Sequence, residues 1–145
     1  MTLSRRVKIR FDKTGYGINH KDSIYWSYFP GDVTFSEDIE RSLQWEKADV
    51  IVMRNLGESV LEFDFSEIEK QMLRGTSDVF TVFVAVADSE QKEMIGVQRF
   101  LVKLKRSKGK VAVELVYESG GTGVTLSSEK PPSADIDAVY FVDFD

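Results

Sequence analysis

The chain repeats one local pattern along most of its length: a short run of β-branched and aromatic residues closed by Gly, Asp, Asn or Ser. Many short strands separated by turn residues are typical of an antiparallel sandwich or barrel. The pattern predicts eight strands, at Arg6–Phe11, Ile24–Phe29, Asp49–Met53, Val60–Phe65, Val79–Ala87, Met94–Arg106, Lys110–Tyr117 and Ala138–Phe144. We therefore expect a mostly β protein, an antiparallel β-sandwich or partly open barrel of about eight strands with one or two short helices.

Size and composition favour a single domain spanning residues 1–145. A chain of this length can bury enough apolar surface to fold without metal or disulfides, and it contains no cysteine. Hydrophobic residues make up 42% and charged residues 30%, as in ordinary globular proteins. No apolar run approaches the roughly 20 residues that cross a bilayer. We expect cytoplasmic synthesis, no secretory signal peptide and no membrane partner.

The charges are unevenly distributed along the chain. The net charge of −5 argues against nucleic acid as the main partner. The first strand is basic, the segment from Arg99 to Lys110 is also basic, and the C-terminus is acidic. Opposite charges on neighbouring strands attract, so the first and last strands could lie side by side. The alternative is that these charges simply cover solvated strand faces.

Two segments depart from the β pattern. Ser36 is followed by a run with Ile39 and Leu43 on one side, which predicts a turn or partial helix at 37–44. Ser66 stands three residues before Glu69, as in a capping box, and Gly75 suits the position just after a helix. We expect a helix of about two turns between them.

The segment from Val79 to Tyr117 carries the strongest strand pattern. Val79–Ala87 is apolar on both faces, and two polar loops separate it from the next two strands. This order predicts a three-stranded meander at the centre of the fold. The side chains expected in the core are Phe63, Phe80 or its neighbour Phe83, Val102 and Leu104.

Few residues could carry catalysis. His20 is the single histidine, and without cysteine it cannot form a His/Cys metal site. The acidic residues Asp135, Asp137, Asp143 and Asp145 could offer oxygen ligands, but their spacing does not match a calcium loop. No glycine pattern matches a phosphate-binding loop. We expect no enzyme activity, no catalytic residue, no cofactor and no metal.

Aromatic and charged side chains are the better candidates for an interaction surface. Tyr and Trp combine an apolar ring with a polar tip, which suits protein interfaces. We expect Tyr16 and either Trp26 or Tyr28 to be partly exposed, although a place in the core is the competing explanation for these rings. The full set of candidate interaction residues is Tyr16, Trp26, Tyr28, Lys103, Lys105, Asp143 and Asp145.

The middle third of the chain also resembles a known module. The order is a strand, a short excursion ending near a glycine, a long apolar strand, a polar hairpin and a further strand. The segments that form this order are Val60–Phe65, Leu73-Arg74-Gly75, Val79–Asp88 and Ile95–Leu104. This order resembles the β-sandwich module at the N-terminus of phage baseplate upper proteins. The resemblance implies an assembly module, and it assigns no catalytic role to any residue of this chain.

Three classes of function remain open at this point. The leading expectation is a non-enzymatic interaction or assembly module, a phage or virion structural component of tail or baseplate type, incorporated in a virion. Its partners would be other proteins, in a homo-oligomer or larger assembly, with no nucleic acid. The first alternative is a small acidic inhibitor, such as a toxin-immunity or anti-defence protein, that binds a basic partner. The second is a small β-barrel enzyme.

Overall fold

A computed structural model describes residues 4–11, 22–54, 58–88, 93–106, 113–119, 124–126 and 138–142. Within these residues the chain forms ten strands and two helices. The strands are β1 (Ser4–Phe11), β2 (Asp22–Pro30), β3 (Glu46–Lys47), β4 (Asp49–Arg54), β5 (Glu58–Asp64), β6 (Val79–Asp88), β7 (Glu93–Arg106), β8 (Val113–Ser119), β9 (Val124–Leu126) and β10 (Ala138–Val142). The helices are α1 (Glu37–Ser42) and α2 (Ser66–Leu73).

The strands form two five-stranded sheets, which confirms the mostly β architecture. Sheet 1 has the order β4-β5-β1-β10-β9, and sheet 2 has the order β3-β2-β6-β7-β8. The meander β6-β7-β8 is present as predicted. The first and last strands are neighbours, which the charge pattern left open as one of two possibilities. β1 and β10 run parallel, while the other described pairs are antiparallel. The short strands β3 and β9 were not predicted.

The two sheets pack face to face around an aromatic centre. The Phe63 ring on sheet 1 lies 5.2 Å from Trp26 and 6.1 Å from Phe100, both on sheet 2, and is stacked on Phe65 at 5.6 Å. Phe63, Phe80, Phe83 and Val102 are fully buried as predicted, whereas Leu104 is only partly buried at the edge of this core. Other fully buried apolar side chains in the core include Val7, Ile24, Leu61, Phe65, Ile68, Met72, Val82 and Phe100.

The outer face of sheet 2 is also covered. Phe83 and Ala85 on β6 are buried away from the main core, and the Phe35 ring lies 5.7 Å from Phe83. The Thr81 hydroxyl donates to the Gly31 carbonyl at 2.6 Å and accepts from the Val33 amide at 3.0 Å. The segment 31–45 therefore lies across this face, which explains why β6 is apolar on both sides.

Arg99 also holds this segment in place from β7. Its guanidinium donates to the Asp32 carboxylate at 2.7 Å and to the Val33 carbonyl at 3.1 Å. Arg99 faces Phe83 across the β6–β7 ladder. One side chain thus joins the covering segment to the middle of the sheet.

Both predicted helices are present, and α1 begins as expected. The Ser36 hydroxyl accepts a hydrogen bond from the Ile39 amide at 3.3 Å, and the helix ends at Ser42. In the part of the chain that is described, neither helix has the length and apolar character needed to span a membrane.

The start of α2 differs from the predicted capping box. Phe65 is the N-cap residue and makes no side-chain cap bond. Ser66 instead donates its amide and its hydroxyl to the Asp64 carboxylate, and these bonds lower the pKa of Asp64. The Glu69 carboxylate accepts a hydrogen bond from the Arg5 guanidinium and does not reach back to the start of the helix. The capping-box prediction was therefore wrong, because the Ser66 hydroxyl is bonded to Asp64 and the Glu69 carboxylate to Arg5.

The end of α2 agrees with the prediction. Gly75 has φ of +81°, its amide bonds to the Met72 carbonyl at 3.1 Å, and the Thr76 amide bonds to the Gln71 carbonyl at 3.0 Å. This pair of bonds is the Schellman motif, which needs a left-handed residue after the helix. Glycine adopts that conformation without the steric cost of a Cβ.

A buried ion pair joins α2 to sheet 1. The Arg5 guanidinium donates to the Glu69 carboxylate at 2.8 Å, and Glu69 is only 7% exposed. Burial raises the pKa of Glu69, and the attraction of Arg5 offsets only part of that rise. Ile68 and Met72, on the same helix, are fully buried in the core. The pair thus lies at the junction between the helix and the sandwich.

Candidate functional site

A cleft of about 190 Å³ opens beside β2, at the edge of sheet 2. We call it the β2 cleft. Its wall on the sheet side is formed by consecutive residues of β2, and its opposite wall by residues from the end of α1 to the start of β3. The lining side chains are Trp26, Ser27, Tyr28, Ser42, Gln44 and Glu46.

The β2 cleft exists because the outermost strand of sheet 2 is very short. β3 pairs with β2 at Tyr25 and Trp26 only. Beyond Glu46 the chain leaves the sheet toward α1, since residues 43–45 form no strand. The half of β2 that follows Trp26 therefore lies at an open sheet edge in the described part of the chain.

The register of β2 shows which backbone groups face this open edge. The Gly31 amide bonds to the Val79 carbonyl at 2.7 Å, so odd-numbered residues of β2 direct their N–H and C=O toward β6. The Ala48 amide bonds to the Ile24 carbonyl at 2.8 Å, so even-numbered residues direct theirs toward β3. Alternation along an antiparallel strand then turns the N–H and C=O of Tyr28 outward. No described strand pairs with Tyr28 on that side.

The aromatic floor of the β2 cleft is held by the main core. Trp26 is 5% exposed, and its ring makes edge contacts with Phe63 and Phe65. Tyr28 is half-buried, 6.0 Å from the Trp26 ring and 6.1 Å from the Phe80 ring. Tyr28 therefore has one side fixed by packing and another available at the cleft.

The surroundings of Tyr28 are acidic. Burial raises the pKa of the Tyr28 hydroxyl, and the negative charges of Glu67 and Glu46 raise it further. The hydroxyl is therefore neutral at physiological pH and can donate or accept a hydrogen bond. Both carboxylates belong to exposed residues. Glu46 lines the cleft, and the negative charges of both residues act on Tyr28.

The structure places the predicted interaction residues in different regions. Of the pair Trp26 and Tyr28, the second is partly exposed as expected, but Trp26 is a core residue and offers almost no surface to a partner. Lys103 bonds to Glu118 at 2.6 Å on the β7–β8 side of sheet 2. Lys105 is exposed on the same strand. Neither lysine is brought to the β2 cleft, because β6 lies between β2 and β7.

Several predictions lie outside the described residues. These are the ones that concern Tyr16, His20, Asp135, Asp137, Asp143 and Asp145. Within the described ranges, no group of three or more His, Cys, Asp or Glu side chains is arranged to hold a metal ion.

The outer wall of the β2 cleft could not be predicted from the sequence. Ser42 ends a short helix, Glu46 begins a two-residue strand, and Gln44 lies between them, so no periodicity marks these residues. The acidic start of α2 was visible in the sequence, but the effect of Glu67 on Tyr28 depends on the tertiary arrangement of α2 and β2. The aromatic character of Ile24–Phe29 was the single signal that pointed to this region.

Comparison of the chain with protein-family models, with curated proteins and with solved structures finds no match in any of the three. The proposed function therefore rests on the fold and on the geometry of the β2 cleft.

Proposed function

We propose that the protein is a non-enzymatic interaction module that binds an extended segment of another polypeptide along the open edge of β2. The observation that supports this is the outward-facing N–H and C=O of Tyr28 beside the β2 cleft. An extended segment can continue the short ladder begun by β3 and pair with these groups. Strand addition of this kind obtains affinity from main-chain hydrogen bonds and specificity from side-chain pockets.

The open edge favours an interaction role because exposed edges are a hazard for a free protein. Unpaired edge groups attract other strands, and proteins commonly cover or shorten such edges. β3 covers Tyr25 and Trp26 and stops before Tyr28. A partner that completes the edge would satisfy the remaining groups. We place this role in an assembly of phage tail or virion type, in agreement with the resemblance of the middle third of the chain.

Hydrogen exchange tests the open edge directly. In the free protein we expect the Tyr28 amide to exchange faster than the amides of Ser27 and Phe29, which point toward β6. The Trp26 amide, on the covered part of the edge, serves as the internal control. A Tyr28 amide as protected as its two neighbours would contradict the proposed geometry.

Binding is tested with synthetic peptides of the form acetyl-Thr-Val-Xaa-Val-Thr-Ser-amide, in which Xaa is Lys, Arg, norleucine, Gln or Glu. We expect at least one peptide, titrated to millimolar concentration, to protect the Tyr28 amide and to shift its NMR signal while Ser27 stays unchanged. If no peptide affects Tyr28, strand addition at this edge is refuted.

Light scattering over a range of protein concentrations tests the assembly role. We expect a homo-oligomer, or association with a second protein encoded nearby in the genome. A chain that stays monomeric and binds no product of a neighbouring gene would contradict an assembly role, even if peptides bind.

The carboxylates of Glu46 and Glu67 favour a second candidate, a small acidic inhibitor that covers a basic partner. A neighbouring gene that encodes a toxin would support the inhibitor, and genes for tail or capsid parts would support the assembly module. Co-purification with the neighbouring gene product decides between them.

A further inference from the structure

We propose that the β2 cleft receives a lysine or arginine side chain of the bound segment, with its charge placed between the Tyr28 ring and the carboxylate of Glu46, which both line the cleft. Glu67 is outside this lining, and its negative charge also acts on Tyr28. This inference rests on the proposed function, because it specifies which segment is bound at the edge of β2. The partner is therefore an extended polypeptide that carries a basic residue opposite Tyr28.

The size of the β2 cleft suits a single side chain. Its volume of about 190 Å³ lies below the about 300–1,000 Å³ that is usual for small-molecule sites. The cleft adjoins the outward-facing backbone groups of Tyr28, so a strand paired there would place alternate side chains on either face of sheet 2. One of those side chains would enter the cleft.

The lining of the cleft suits a long basic side chain. Such side chains lay their methylene stems along apolar surface and keep the charged end in a polar environment. The Tyr28 ring offers an aromatic face, over which a cation is attracted by the π electrons. Glu46 lines the cleft, and Gln44 and Ser42 add polar groups at its outer wall.

The two carboxylates remain available to an incoming cation. Among the described residues, no Lys or Arg forms an ion pair with Glu46 or Glu67. The side-chain amide of Gln71, on the same helix, donates to the Glu67 carboxylate at 3.5 Å. The exposed Glu37 of α1 differs in this respect, since it is paired with Arg41 at 4.0 Å. A basic residue in the cleft would neutralise charges that the described chain leaves uncompensated.

The peptide series described above tests the inference. We expect the Lys and Arg peptides to bind more tightly than the norleucine peptide, and the Glu peptide to bind most weakly. Each substitution Glu46→Gln and Glu67→Gln should weaken binding of the Lys peptide about two- to fivefold, the usual range for exposed ion pairs. The norleucine peptide should bind equally well to wild type and both variants.

The matched control is Glu40→Gln, which removes one exposed carboxylate from α1 without altering the lining of the cleft. This variant should bind the Lys peptide like the wild type. Raising the salt concentration should weaken the Lys peptide and leave the norleucine peptide unchanged, because salt screens exposed charges.

The outcomes separate the two proposals. If all peptides protect the Tyr28 amide with equal affinity, strand addition stands and the basic side chain is refuted. The Lys peptide could bind best while Glu40→Gln weakens its binding as much as Glu46→Gln does. In that case the peptide is attracted by the net charge of the protein, and the assignment of the basic side chain to the cleft is overturned. If no peptide protects Tyr28, the proposed function itself fails.

Discussion

Truncation of Phe63 to alanine should cause one of the largest losses of stability in this protein. Phe63 is fully buried and contacts three other rings, at 5.2, 5.6 and 6.1 Å. Phe→Ala in a core costs about 3–5 kcal/mol, because transfer free energy is lost and a cavity remains. Aromatic pairs add about 0.5–1.5 kcal/mol each beyond the area they bury. We therefore expect about 4–5 kcal/mol, at the upper end of the range.

Urea denaturation followed by tryptophan fluorescence measures this loss. With a slope of about 2 kcal/mol per molar urea, the midpoint of Phe63→Ala should fall by about 2 M. The milder substitution Phe63→Leu, which keeps most of the volume, should cost about 1–2 kcal/mol and remains measurable if the alanine variant does not fold. Leu73→Ala, at a side chain that is 62% exposed, is the control and should leave the midpoint within experimental error. An unchanged midpoint for Phe63→Ala would refute the assignment of this ring to the centre of the sandwich.

Three further predictions concern other parts of the fold. The raised pKa of Glu69 means that the folded state binds a proton on this carboxyl more tightly than the unfolded chain does. Protonated Glu69 therefore contributes to stability at low pH, and this contribution is lost as the pH rises through the folded pKa. Relative to Glu69→Gln, the wild type should gain stability on acidification in pH-dependent thermal melts, and a constant difference would refute this. Gly75→Ala should cost about 1–2 kcal/mol through its left-handed backbone, and Gly75→Asn less, measured by urea midpoints. Thr81→Val should cost about 1–3 kcal/mol, because the Gly31 carbonyl and Val33 amide lose their shared partner; Thr81→Ser should retain most of the stability.

Much of the fold follows from local pattern. Each of the eight predicted strands overlaps an observed one, and both helices lie where Ser36, Ser66 and Gly75 indicated. These signals are local, since alternation of side chains and the requirements of helix ends act over a few residues. β3 and β9 were missed because two- or three-residue strands have no periodicity of their own and form only when a neighbouring strand is already in place.

The candidate site was harder to predict from the sequence than the fold. Tyr28 was identified as an aromatic side chain for a surface, but nothing in the sequence distinguished it from Trp26 two residues earlier. Both point to the same face of β2, and the difference in exposure arises because Trp26 is covered by Phe63 of sheet 1 and by Phe65 at the start of α2. Such contacts between distant segments cannot be derived from the spacing of residues along one strand.

The amino-acid sequence by itself determined that the protein is mostly β, that it has one or two short helices and that the strands β6, β7 and β8 form a meander. It did so because turn residues and alternating side chains define strands locally. The tertiary structure alone decided that β1 and β10 pair in parallel, that the segment 31–45 covers sheet 2, and that β3 ends before Tyr28. These features depend on which segments meet across the fold. The β2 cleft belongs to this second group, because its walls come from β2 and from the chain beyond α1, and they meet only once sheet 2 has formed.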